Sequence, residues 1–254
     1  MKEQKSAGKL TVVPTPVGNL EDMTFRAIRV LKEADAVLAE DTRTTSLLFQ
    51  KFEISNKLIA HHQNNEHKTV DHLVEEIMHG KHYALVSDAG TPGISDPGFL
   101  LIRACVQNGI LVECLPGATA FVPALVASGF PCEKFVYEGF LPQKKGRESR
   151  IKKIAAEERT VVLYESPHRL IKALEQFKSF FHADRKIAVC REISKKFEEI
   201  VRGNCDELIH HFTTHPIKGE FVLVVEGKES KEENQPDKKS REKKSKRHRQ
   251  EEEE

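Results

Sequence analysis

Apolar positions recur along this chain in two alternating rhythms, from about residue 10 to residue 225. Short continuous runs at Leu10–Val13, Ala36–Ala39, Ala84–Val86 and Ile110–Leu115 read as strands, most of them buried. Between them, three groups fall at helical spacing: Phe25, Ala27, Ile28, Val30 and Leu31; Val70, Leu73, Val74 and Ile77; and Leu100, Leu101, Ala104 and Cys105. Pro14 and Pro16 end the first strand, Gly80 supplies a helix C-cap, and the third helix stops near Gly109. This β-α-β-α order predicts a parallel sheet covered by helices. A second set follows Pro116-Gly117. Phe121–Val126 reads as a helix closed by Gly129, and Leu170, Ala173, Leu174 and Phe177 form a helical stripe. Phe135–Tyr137, Val161–Tyr164, Ile187–Val189, Glu199–Arg202 and Phe221–Val225 read as strands. A short helix separates the last two, which predicts some antiparallel pairing. The chain therefore reads as two α/β domains, 9–116 with a mainly parallel sheet and 117–228 with a mixed one. From about Lys228 onward apolar residues vanish, and 229–254 is expected to be a disordered charged tail.

Composition narrows the classes. No apolar run reaches the roughly 18 residues of a membrane span, and Met1–Lys9 is polar with no hydrophobic leader core. The expected location is the cytoplasm. The five cysteines, Cys105, Cys114, Cys132, Cys190 and Cys205, are odd in number and form no C-x-x-C pair. They read as small buried hydrophobes, with neither a disulfide framework nor a metal site expected. A net charge of +1 decides nothing about partners, but Lys144–Lys153 and Lys238–Arg249 are locally basic. Each suits a nucleic-acid backbone or a solvated face.

In an open parallel sheet, ligands bind beyond the carboxyl ends of the strands, so the strand exits are where chemistry is sought. Pro14–Leu20 follows the first strand, Glu40-Asp41-Thr42-Arg43 the second, Ser87–Gly98 the third and Pro116–Ala120 the fourth. The third exit holds three glycines and two prolines, a stiff loop that offers backbone groups to a ligand. Asp88 and Asp96 add acceptors there, the lesser alternative being a structural connection in which Asp96 caps the next helix. Pro116-Gly117-Ala118 allows close backbone approach or makes a plain junction turn. No G-x-G-x-x-G follows the first strand and no Walker motif occurs, which disfavours dinucleotide enzymes and P-loop NTPases. Ser166-Pro167-His168-Arg169 either contacts a ligand or caps a helix. His61–Glu66 is a polar cluster that reads most simply as a solvated helix start, without metal-ligand spacing.

Taken together, the exits resemble one family. Thr15–Leu20, Ala39–Arg43, Ser87–Pro92 and Asp96-Pro97-Gly98 are similar to the ribosomal RNA small subunit methyltransferase I family of the tetrapyrrole methylase superfamily. So are Tyr137–Pro142, Tyr164–Arg169, Cys190-Arg191-Glu192 and Gly219-Glu220-Phe221, and the matches run from Lys9 to Gly227. The resemblance implies two α/β domains with S-adenosylmethionine in the cleft between them, and a homodimer. It also implies 2′-O-methylation of a decoding-region cytidine in small-subunit (16S) ribosomal RNA. Where such proteins often carry a small C-terminal helical region, this chain has its charged tail.

On that basis cofactor binding falls to Asp88, Ala89, Gly90, Thr91, Ile94 and Ser95, with Pro116, Gly117, Ala118 and Ala120. Pro16 and Gly18 shape the floor, and Tyr164 and Glu165 approach from the second domain. The catalytic candidates are Glu40, Asp41, Arg43, His62 and Glu66. A carboxylate or His62 would accept the hydroxyl proton, and Arg43 would clamp a phosphate. Lys144–Lys153 is the candidate RNA-backbone surface. Two rivals stand beside this reading: a small-molecule methyltransferase acting on a tetrapyrrole, and a ribosome-assembly factor without catalysis.

Overall fold

Strand β1 (Lys9–Val12) lies inside a five-stranded sheet of order β3-β2-β4-β1-β5 in the computed structural model, which describes residues 8–228. Its partners β2 (Ala36–Ala39), β3 (Leu58–Ala60), β4 (His82–Val86) and β5 (Leu111–Cys114) all run parallel to it or to one another. Both faces are covered. On one, α1 (Phe25–Glu33) and α2 (Thr42–Lys51) set Ala27, Val30, Leu31 and Phe49 against Val13, Val37 and Val86. On the other, α3 (Glu66–Met78) and α4 (Phe99–Gln107) set Leu73, Ile77 and Leu101 against Leu10, Leu38 and Leu85. Burial on both faces is why the central strands β2 and β4 carry continuous apolar runs, whereas the edge strands β3 and β5 are only partly covered.

The second sheet has order β6-β7-β10-β8-β9, built from β6 (Phe135–Phe140), β7 (Thr160–Glu165), β8 (Ile187–Arg191), β9 (Glu199–Gly203) and β10 (Phe221–Val225). Only β6 and β7 pair in parallel; the other pairs are antiparallel. The α/β class, with a mainly parallel first sheet and a mixed second one, is as expected. Helix α5 (Phe121–Ser128) covers one face through Ala124 and Leu125. The other face carries α6 (Arg147–Ala156), α7 (Leu170–Lys178) and α8 (Cys205–Thr214), with Phe177 and Phe212 fully buried beneath them.

Several expectations need correcting. Phe25, placed in the first helical stripe, is 93% exposed. It precedes Ala27 by two residues, roughly 200° of helical turn, and so faces away from the sheet. Helices α2 and α6 and strand β3 escape the hydrophobic pattern because few of their residues are buried. Cys105, Cys190 and Cys205 are buried, but Cys114 and Cys132 are exposed. The charged tail, 229–254, lies outside the described residues. No described helix is long and apolar enough to cross a membrane.

Candidate active site between the two sheets

The exits of the first sheet are stitched to one another. Thr15 and Gly90 exchange two backbone hydrogen bonds of 2.9 Å. The Thr15 hydroxyl donates to the Ser87 carbonyl at 3.1 Å, and the Thr91 hydroxyl to the Ala118 carbonyl at 3.0 Å. The second and third exits clasp reciprocally: the Asp41 amide donates to Asp88 Oδ1 at 3.1 Å, and the Asp88 amide to Glu40 Oε2 at 3.3 Å. Gly90 sits at φ +80°, open to glycine with little strain.

Between these exits and the edge of the second sheet where β6 and β7 end and β10 begins lies a cavity of 450 Å³, within the range of small-molecule sites. Asp88, Ala89, Gly90, Thr91, Ile94, Ser95, Ala120, Tyr164 and Glu165 line it, as does Glu40. Pro16, Gly18, Pro116, Gly117 and Ala118 do not. Pro16 opens on a separate 230 Å³ hollow with Leu20, Thr45 and Leu48, while Gly117 and Ala118 face a 560 Å³ hollow beside Ile193. The glycines serve close packing: a Cβ on Gly117 would come within 2.7 Å of Pro14 Cβ, and one on Gly18 within 2.2 Å of Lys195 Cγ.

Sequence reasoning did not place Thr119, Phe140 or Gly219–Val222 in the wall, and it read Asp96 only as an acceptor or a cap. Their signal was present in the motifs around them, but only the second sheet's position brings β6 and β10 to the cleft. Asp96 does not cap α4: Gly98, at φ +119°, occupies the cap position, and the Gly98 and Leu100 amides donate to Glu66 Oε1 at 3.1 and 3.0 Å. Nor does Ser166 cap through its side chain. Ser95, at φ +67°, reaches across the cleft to share a 2.7 Å hydrogen bond with the Tyr137 hydroxyl.

The catalytic candidates separate by environment. Arg43 forks the Asp41 carboxylate at 2.6–3.2 Å and, by those hydrogen bonds, holds it at a pKa of about 2. Burial raises Glu40 and Asp88. Burial, then the charges of Glu40, Asp88 and Glu220, push Asp96 up to about 7. Glu66 is not in the cleft; it is buried and clamps the end of the third exit. Nor does His62 line the cleft; its amide donates to Asn65 Oδ1 and its buried Nδ1 has no hydrogen-bond partner among the described residues. His61 is 1% exposed, with Nδ1 3.1 Å from Thr69 Oγ1 and its pKa lowered by burial. The solvated helix start holds for the exposed Gln63 and Asn64 but not for the two ends of the cluster: His61 and Glu66 are buried, and Glu66 holds the end of the Ser87–Gly98 loop.

The basic segment is not uniformly free. Arg147 is buried and donates to Glu165 Oε2 at 2.8 Å, Arg150 pairs with Glu138, and Lys152 with Glu148 at 2.6 Å. Lys144, Lys145 and Lys153 remain exposed. The cleft wall itself contains Glu40, Asp88, Asp96, Glu165 and Glu220, and no lysine, arginine or histidine among the described residues.

Comparison with known proteins agrees with this architecture. The Tetrapyrrole (Corrin/Porphyrin) Methylases profile matches residues 9–209. Ribosomal RNA small subunit methyltransferase I of Halalkalibacterium halodurans is 45% identical over 91% of this chain and 80% of its own length. The Thermotoga maritima protein of the same name is 42% identical over 87% of this chain and all of its own. Among solved structures, cobalt precorrin-4 methyltransferase superimposes with a TM-score of 0.65 at 18% identity, covering 86% of this chain and 94% of that one. Uroporphyrin-III C-methyltransferase from Thermus thermophilus, complexed with S-adenyl homocysteine, gives 0.60 at 18%, covering 86% and 97%. The profile match over most of the chain and relatives at 42–45% identity establish that this chain belongs to the tetrapyrrole (corrin/porphyrin) methylase family, together with ribosomal RNA small subunit methyltransferase I.

Proposed function

We propose that the cleft binds S-adenosylmethionine and that the chain methylates the ribose 2′-hydroxyl of a decoding-region cytidine in small-subunit ribosomal RNA. The observation that carries the cofactor reading is the charge of the cleft: carboxylates of Glu40, Asp88, Asp96 and Glu220 with no cation in the wall among the described residues. Such a wall suits a sulfonium and an ammonium and repels the phosphates of a nucleotide. The substrate reading rests on the relatives, which carry the name ribosomal RNA small subunit methyltransferase I.

Asp88 and the backbone of Ala89–Thr91 hold the cofactor from the first domain (9–116), and Ala120, Tyr164 and Glu165 from the second (117–228). Bound S-adenosylmethionine supplies a methyl group on a sulfonium, which departs as a neutral thioether. The protein aligns the acceptor with it, and such alignment is worth roughly 7–11 kcal/mol. Asp96 is the proton acceptor. Asp41, held at about 2 by Arg43, is too weak a base, and Glu66 is committed to two amides. Asp96, at about 7, suits proton transfer near neutral pH, a contribution of about 10²–10⁴-fold. Arg43 keeps one guanidinium nitrogen clear of Asp41 and turns it outward, where a phosphate of the acceptor strand binds. The working form is a cytoplasmic homodimer.

The test incubates the purified protein with labelled S-adenosylmethionine and small ribosomal subunits from cells lacking it, then maps 2′-O-methylation. Label at one decoding-region cytidine, lost in Asp88→Ala, supports both halves of the reading. Label on a porphyrinoid acceptor instead would move the substrate. Absence of cofactor binding would remove the methyltransferase reading and leave an assembly factor.

A further inference from the structure

We propose that Phe140 is the platform on which a nucleobase of the acceptor strand stacks, with Lys144 and Lys145 holding the adjoining phosphates. This rests on the RNA reading above and adds to it the site where the base is received.

Strand register places the ring. Tyr137 lies opposite Val162, Gly139 opposite Leu163 and Phe140 opposite Tyr164, so Glu138 is skipped. Side chains alternate across a strand, and in a regular β6 Phe140 would share a face with Val136 and Glu138. The bulge transfers it to the face of Tyr137, the one that meets the cleft. Gly139, at φ +60°, permits the turn, and a Cβ there would lie 3.1 Å from Ser95 Oγ.

What the bulge re-aims is a bare phenyl ring. Phe140 lines the cavity yet is 53% exposed, so one side of it is supported and the other open. Its support is Tyr164, with ring centroids 5.4 Å apart, and behind that Tyr137 at 5.6 Å, edge-on. A rigid ring with one free face beside a reaction cleft suits a flat π-system, and base–aromatic stacking of this kind is how single-stranded nucleic acid is commonly held. Just past buried Leu141 the chain turns out to Lys144 and Lys145, which have no carboxylate partner among the described residues. Arg147 and Arg150 of the same segment are occupied by Glu165 and Glu138. The unpaired cations of the stretch that follows the ring are therefore Lys144 and Lys145, four and five residues after Phe140, within reach along the chain of the phosphates that flank a base stacked there.

The chain contains no tryptophan, so Phe140→Trp introduces a single fluorescent reporter at the site. Two probes are titrated for affinity: unmethylated small ribosomal subunits and S-adenosylhomocysteine. For F140W, which keeps a flat aromatic face, subunit affinity is expected to be retained, and its indole is expected to be quenched by a short single-stranded RNA, which carries no tryptophan of its own. For Phe140→Leu, which keeps an apolar side chain but removes the flat face, subunit affinity is expected to fall about tenfold or more, and S-adenosylhomocysteine affinity by far less. If F140L weakens S-adenosylhomocysteine instead, the ring faces the cofactor's adenine and the proposal is overturned. Unchanged affinity for both probes would reduce Phe140 to a wall residue and overturn the proposal as well. Wild-type protein that binds S-adenosylhomocysteine but no subunits would defeat the RNA reading itself, a result distinct from failure of the variant alone.

Discussion

Arg147 Nη2 and Glu165 Oε2 lie 2.8 Å apart with both side chains buried. The other Glu165 oxygen accepts from the Ser166 amide and from Arg169 Nε, each at 2.8 Å. One carboxylate thereby ties α6 to the turn that forms the cleft wall at Ser166-Pro167. Removing Arg147 leaves Glu165 Oε2 buried without a partner while Arg169 still balances the charge through Oε1, so the cost is that of one unsatisfied buried acceptor, about 1–3 kcal/mol. Arg147→Ala is expected to lose stability of that order in urea denaturation, while the double variant Arg147→Met, Glu165→Leu loses clearly less. Equal losses in the two would count against an unsatisfied-acceptor origin.

The salt dependence of RNA binding distinguishes the two kinds of basic residue in this segment. Each phosphate neutralised on a single strand contributes about 0.7 to the slope of log K against log salt. Replacing both Lys144 and Lys145 by alanine should reduce that slope by about 1.4. Arg147→Ala, where folded, should leave the slope unchanged, since its guanidinium is already occupied by Glu165. Filter binding across a salt series measures both.

Asp96 carries a pH prediction with a definite sign. Its pKa is about 7 in the folded chain against an ordinary value of 3.8, so the folded state holds more protons between those values and stability falls as pH rises through that window. Asp96→Asn removes the cost of ionisation. The variant should be more stable than the wild type at pH 8, by on the order of 1 kcal/mol after solvent screening, with the difference shrinking toward pH 4. The same substitution should abolish the rise of methyl transfer through pH 7. An unchanged pH profile would remove Asp96 as the proton acceptor.

Glu66 acts at a distance from the chemistry. Its Oε1 receives both the Gly98 and the Leu100 amides, at the point where the Ser87–Gly98 loop becomes α4. Glu66→Ala leaves those donors unsatisfied, at a cost of about 1–3 kcal/mol. Thermal unfolding should shift down accordingly, and S-adenosylhomocysteine affinity should weaken because the loop loses its anchor. Glu66→Gln, which keeps an acceptor oxygen, should recover much of both. Weakened stability without weakened affinity would confine Glu66 to a structural role.

The local pattern of this chain was sufficient for its class. Runs such as Val161–Leu163 and Val222–Val224 are apolar at every position because both faces of each strand are covered, and that requirement is written in composition alone. The glycine- and proline-rich third exit likewise marked the cleft, because an unusual backbone path needs unusual residues. Other features depended on which distant residues meet. Arg147 reads as one more cation among lysines until α6 sets it against Glu165, eighteen positions along the chain. Glu66 reads as a solvated acid until α4 presents two amides to it. Asp96 becomes a base near neutrality only once folding buries it and then adds the charges of Glu40 and Glu220 from two other segments to that of Asp88 in its own loop. Phe140 reaches the cleft only through a one-residue bulge. Hydrophobic periodicity is a local property that the order of residues determines, whereas the charge state, burial and aim of a side chain are set by neighbours that only the folded chain brings within a few ångströms.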